Sequence, residues 1–335
     1  MSQTYESRQV RFGYAEQTTF ETAELDSAAM NEITCEAFNI DPDVMIHELP
    51  QNNGTRQPIE QNTAHSVKGS SAKFTVAGPV DISDIDQFAY AFFQRVEEAA
   101  DSEFTKDFYF FTTHPDFTED AGHFLTWIKR MPEASVSQKV LGCIANRFNL
   151  SAERDGMLMF ETDWRALGTT NDTSNPSGTW TPPDGETFLY FNDIVTATLT
   201  HGAALASPTN LVMQSFEVEG VVEVDKIGHS ATAGFEQHGI KNREGTFKIK
   251  MLRDSTADES LISLKEGELI KFTVDFGTLS FIVTGKIEAL DYDADGLLVN
   301  EITCRIFANY EAGGVGNGFS ITVKNSIDRA WPAPA

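Results

Sequence analysis

The residues best suited to chemistry in this chain are carboxylates. Asp291, Asp293 and Asp295 alternate and are followed by Gly296, the spacing that opens a calcium-binding loop. Such a loop needs a bidentate Glu at its twelfth position. Ile302 stands there, and Glu301 falls one short. The flanking residues read as strands, so the run is expected to be an acidic hairpin turn, with Asp291, Asp293 and Asp295 kept as a calcium alternative. His114 and His123 lie near Asp116, Glu119 and Asp120, in a spacing that matches no standard zinc pattern. Gly313, Gly314, Gly316 and Gly318 form a cluster without the Lys and Ser/Thr of a phosphate loop. There is no GxSxG elbow, and no CxxC pair among Cys35, Cys143 and Cys304. An unmarked pair of carboxylates could serve a glycosidase, but nothing singles one out. No catalytic residue, cofactor or metal site is therefore assigned.

The chain has 335 residues, 50 acidic against 25 basic, for a formal charge of −25. Such a balance repels polyanions and suits a surface past which nucleic acid slides without sticking. Hydrophobic residues make up 41%, enough for a core. No basic region with an apolar run opens the chain, and no stretch has the length of a membrane span. With three dispersed cysteines and no signal, folding in a reducing cytoplasm is expected.

Strands must carry most of this chain. Residues 108–113 are aromatic and threonine-rich. Ile270 to Phe276 alternates apolar and polar with period two. The segments 281–290 and 297–307 flank Asp295 and Gly296, a hairpin turn signal. Residues 319–323 form a last strand. Two helices are expected. One runs from about Asp84 to Ala100, with Ser83 and Asp86 as an acidic capping box and Ile85, Phe88, Phe92 and Val96 on one face. The other runs from about Ala257 to Glu266, capped by Thr256 and Glu259.

The two helices sit in a repeated context. The offset that carries His65 onto His238 also pairs Phe74 with Phe247, Asp81 with Asp254 and Ser83 with Thr256, without a gap. Each pair keeps one physical role, which argues for duplication. A histidine duplicated with its surroundings reads as structural rather than catalytic. A second echo, Asn31 to Cys35 with Asn300 to Cys304, does not share that offset. The expected division is an N-terminal arm at 1–29, a first β domain at 30–138, a second at 139–327 and a tail at 328–335, with the boundary near Gln138. Polar loops are expected at 51–61 and at 168–185, the second exposed.

The order of elements resembles the tail tube (major tail) proteins of long-tailed, siphovirus-type phages. It rests on the strand, acid and capped helix at 74–92, the counterpart at 247–266, the Pro-containing loop leading to 188–193, the hairpin at 286–307 and the strand at 321–325. The resemblance implies a mainly β (α+β) fold of two related β-sandwich or barrel-like domains, each with one flanking α-helix. It implies a non-catalytic virion protein, made in the host cytoplasm, whose copies form rings that stack into a tube for DNA. The expected partners are itself, a tape measure protein, tail terminator and distal tail proteins, and DNA passing without specific binding, with no membrane insertion. Two domains per chain favour three copies per ring, and a hexamer of a single unit with an added domain is the rival. No contractile sheath is expected. Glu288, Asp291, Asp293, Asp295 and Glu301 are expected near the lumen or a ring contact, and the two polar loops at contacts between rings. An adhesive, carbohydrate-binding β-sandwich is the alternative of another class, with Trp164 and Trp180 as its aromatic platform.

Overall fold

The computed structural model describes residues 11–17, 30–33, 35, 37–48, 65–93, 96–98, 104–110, 124–131, 136–166, 168–172, 180–181, 188–202, 205, 208–227, 237–252, 264–292, 299–306 and 318–327. The fold is mainly β, as expected. Its first strands are β1 (Arg11–Gln17), β2 (Met30–Glu32), β3 (Ala37–Glu48) and β4 (His65–Pro79). Helix α1 (Ile85–Phe93) follows, then β5 (Val96–Glu98) and β6 (Thr105–Tyr109). Next come β7 (Phe124–Met131), β8 (Val136–Glu153), β9 (Met159–Ala166), β10 (Gly168–Asp172) and β11 (Trp180–Thr181). The chain continues with β12 (Thr196–His201), β13 (Thr209–Asn210), β14 (Val212–Ile227) and β15 (Gln237–Leu252). It ends with β16 (Leu269–Asp275), β17 (Leu279–Tyr292), β18 (Val299–Ile306) and β19 (Phe319–Lys324).

One pattern of antiparallel pairing occurs twice. In the first half β1 pairs with β2 and β7, β8 with β7, β9 and β10, and β4 with β9 and β3. In the second half β12 pairs with β13 and β16, β17 with β16, β18 and β19, and β15 with β18 and β14. Small irregularities repeat too. Met131 faces Val136 where β7 gives way to β8, and Asp275 faces Ser280 where β16 gives way to β17. A bulge falls between Ala145 and Arg147 in β8, and another between Ile287 and Ala289 in β17. His65 and His238 open the equivalent strands β4 and β15. Their side chains lie outside the described residues.

The long strands β8 and β17 each run through two sets of neighbours. Each carries a glycine where its partners change. Gly142 has φ 60°, which a Cβ disfavours. Gly285 lies so close to β18 that a Cβ would stand 2.4 Å from the Arg305 carbonyl oxygen. Gln138, the expected boundary, lies inside β8, facing Lys129 and Asn171.

Strand period two fills the interior. Phe160, Thr162 and Trp164 of β9, Phe216 and Val218 of β14, and Phe247 and Ile249 of β15 all point inward. Tyr14, Phe88, Trp127 and Trp164 pack ring on ring in the first half, and Phe216, Phe272 and Phe281 in the second. Between them Phe92, Phe93, Phe110, Phe148 and Phe319 interleave. Most buried hydrophobic residues of both halves thus belong to one cluster, while Ala15, Met30, Ile128 and Trp180 form a second, smaller one.

Three elements differ from expectation. Helix α1 is shorter than Asp84 to Ala100. Val96, assigned to its apolar face, instead lies in β5 facing Phe108 of β6, a β-branched residue whose cross-strand pairing outweighs helical continuation. The strand expected at 108–113 begins earlier, as β6. The segment expected as an exposed loop at 168–185 contains β10, bonded to β8, and β11, parallel to β2. The echo of 31–35 in 300–304 joins β2 to β18, which are not equivalent strands. The second expected helix and the loop at 51–61 lie mostly or wholly outside the described residues, as do His114 and His123.

Candidate functional site

An antiparallel sheet with one face on the core leaves its other face to water. Here that wet face runs unbroken across β4, β9, β8, β14, β15 and β18. The two halves meet within it, where Ser215 to Val221 of β14 pair antiparallel with Glu153 to Arg147 of β8. Gly220 sits at this joint because a Cβ there would stand 2.9 Å from the Phe92 ring of α1.

The face is charged, but its acids are laced with cations. Arg147 binds Glu161 of β9 and Glu219 of β14, with Asp163 3.8 Å away. Burial pulls the Arg147 pKa down, and the hydrogen bonds and charges of Glu219 and Glu161 outweigh it, so the net shift is upward. Asn149 donates to Glu217 at 3.1 Å, and Lys248 reaches the same carboxylate at 3.2 Å. Thr75 donates to Asp163 at 2.5 Å, and Arg305 lies 3.4 Å from Glu244. Wet ion pairs of this kind contribute about 0–1 kcal/mol each. Their effect is to fix which charges the face presents.

Three of the expected lumen residues lie toward one end of this sheet. Glu288 and Asp291 of β17 and Glu301 of β18 are exposed, Asp291 faces Glu301, and Glu301 faces Lys250 of β15. Asp293 and Asp295 lie outside the described residues. Among the described residues no three carboxylate, His or Cys groups gather as a metal cluster.

At the expected helix cap, Asp81 takes the central role. Its Oδ1 accepts from the Ser83 backbone N–H at 2.9 Å and the Ser83 hydroxyl at 2.7 Å. The Asp81 carbonyl accepts from Ile85 N–H at 2.9 Å and so starts the helix. Asp86, expected in the capping box, has a fully buried carboxylate that meets the fully buried Lys106 of β6 at 2.8 Å. Lys106 also donates to Asn325 Oδ1 and the Ile327 carbonyl, both at 2.7 Å. Asn325 Nδ2 in turn donates to the Ile82 carbonyl at 3.0 Å. This group ties the helix of the first half to the end of the second. Asp254 and Thr256 lie outside the described residues. Sequence reasoning missed Lys106, Asn325 and Arg147, whose partners are remote in sequence. Only the presence of Asp86 on an otherwise apolar helix hinted at a buried cation.

Other candidates recede. Trp164 is 1% exposed and Trp180 3% exposed, so neither offers an aromatic platform. Cys143 and Cys304 are buried and Cys35 half-buried, all with free thiols. Burial pushes the Cys35 pKa up to about 12, against a small lowering by Lys129. These thiols are poor nucleophiles. No helix among the described residues is long and apolar enough to cross a membrane.

The fold and this face define a mainly β protein with a continuous sheet that spans both halves. The family model described as phage tail tube protein matches residues 7–328, and the chain belongs to that family. Membership makes it a structural tail component that assembles with itself into a tube, with its place in the virion. A search of curated proteins finds no match.

Proposed function

We propose that the chain comprises two related tube units and that three copies form a pseudo-sixfold ring. Rings stack into the tail tube, and DNA passes through its lumen at ejection. The carrying observation is the pairing pattern present twice in one chain, each time around a long strand that changes partners along its length. A hexameric tube with an unrelated added domain leaves that coincidence without a cause. The division between units falls after β11 rather than near Gln138, because β8 is continuous through that residue.

The wet face across both units is the lumen candidate, with Glu288, Asp291, Asp293, Asp295 and Glu301 toward one end. Its interleaved Arg147, Lys248 and Glu217 give a polar wall with little net pull on phosphate. The segments at 51–61 and 168–185 are the candidates for contacts between rings. Tape measure, terminator and distal tail proteins are the further partners.

Electron microscopy of the concentrated purified protein is the test. Hollow filaments of constant width, with threefold or pseudo-sixfold symmetry in projection, are expected. Symmetry with six whole chains per ring would overturn the trimer. A persistent monomer at every concentration would overturn the assembly reading.

A further inference from the structure

The junction inside the chain predicts the junction between chains. On one side β8 pairs with β9 and β10 throughout. On the other it pairs first with β7 and then, over Arg147 to Glu153, with β14. Its counterpart β17 has β18 and β19 on one side and β16 on the start of the other. Past Ile287 that second side has no partner among the described strands. The counterpart of β14 is β3, whose described partner is β4 alone. Among the described strands the chain therefore carries one filled joint and, at the equivalent places, two complementary halves that have no described partner.

We infer that β17 of one copy pairs antiparallel with β3 of the next, reproducing the β8–β14 joint. This rests on the proposed ring assembly and specifies its contact. The common bulges align Ala289 with Arg147. The constant offset between β4 and β15 aligns Val76 with Ile249, and hence their partners Phe38 and Phe216. Inside the chain Val221, Gly220, Glu219 and Val218 face Arg147, Phe148, Asn149 and Leu150. Between copies Asp43, Pro42, Asp41 and Ile40 then face Ala289, Leu290, Asp291 and Tyr292.

Two features bear on the strength of this joint. Pro42 is carried opposite Ala72 of β4, and a ladder tolerates a proline at an edge strand, so Pro42 marks β3 as an edge in the single copy. It also withdraws one donor from the joint. Asp41 and Asp291 share one register position, where the internal joint has Glu219 and Asn149. Like charges opposite each other weaken a pair, so the joint between copies is weaker than the one within. Free subunits thus avoid edge-to-edge aggregation while the ring can still close. The contact is heterologous, with different edges on its two sides, and so propagates until it closes.

Two measurements test the register. Hydrogen exchange of the unmodified protein should slow by at least about tenfold at residues 39–43 and 289–292 on passing from monomer to filament. In the variant Asp41→Cys with Asp291→Cys, oxidation of filaments should give a ladder of dimers and trimers on a non-reducing gel. Facing strands hold Cα atoms within disulfide range. Each single variant controls for the native thiols and should give no trimer. Filaments that form normally with unchanged exchange at these amides would overturn the joint and leave ring assembly standing. Failure of the unmodified protein to form filaments at all would sink both.

Discussion

Replacing Lys106 by Met tests the buried tie between the halves. The side chains match in length, so packing is kept and the charge is lost. Lys106 and Asp86 are both fully inaccessible and 2.8 Å apart. Removing the cation leaves a carboxylate in a site with no water to screen it, a loss of about 3–5 kcal/mol. The Asn325 and Ile327 oxygens, each 2.7 Å from Nζ, lose a donor as well. Substituting both partners, Lys106→Met with Asp86→Leu, removes the stranded charge. The remaining cost is that of the orphaned polar groups, about 1–3 kcal/mol. The double variant is thus expected to be more stable than the single one. The assay is urea unfolding of the monomer, followed by circular dichroism and by tryptophan fluorescence. Free energies are compared only where the two transitions coincide. A single variant within about 1 kcal/mol of the unmodified protein, or purely additive effects, would refute a coupled, desolvated pair.

Gly285→Ala places a methyl against the backbone carbonyl of Arg305, which cannot rotate away. A loss of about 3 kcal/mol is expected in thermal unfolding, against about 1–2 kcal/mol for Gly142→Ala, where the conflict is only the left-handed backbone. Cys35 should react slowly with a thiol reagent at pH 8, and faster as pH rises toward 12, because its folded pKa is raised to about 12 by burial. The unfolded thiol ionises near 9.0 while the folded one stays protonated, so this group's contribution to stability is complete below pH 9 and declines above it. Trp127, Trp164 and Trp180 are all buried. Collisional quenching of their fluorescence should be weak, and host glycans should leave the spectrum unmoved; a glycan-induced shift would revive the adhesive reading.

Local signals were legible where one physical effect dominates. The alternation at 270–276 gave β16 because one face meets the core and the other does not. The Asp295–Gly296 turn signal placed β17 against β18, and their pairing is observed. The helix beginning at Ile85 was legible from its apolar spacing, but its end was not. Nothing local tells Val96 that Phe108 will lie beside it. The constant offset matched β4 to β15 because long core strands keep their apolar positions. Beyond the helix the spacing changes, since among the described strands β5 and β6 have no counterpart between β15 and β16. Arg147 and Lys106 stayed invisible because their partners come from strands distant in sequence. The candidate face could be inferred from the acid excess only in outline. Its interleaved cations are a property of the sheet, not of any one segment.

The pairing of β6 with β19 has a consequence for synthesis. Thr105 to Tyr109 bond to Lys324 to Ser320, at the far end of the sequence. A ribosome emitting the first half delivers the helix and the long strands early. The partner that seats Lys106 leaves the exit tunnel only after β7 to β18 have been made. Completion of the early half is thereby deferred until β19 has been made, and a chain terminated before β19 lacks the strand that would complete it.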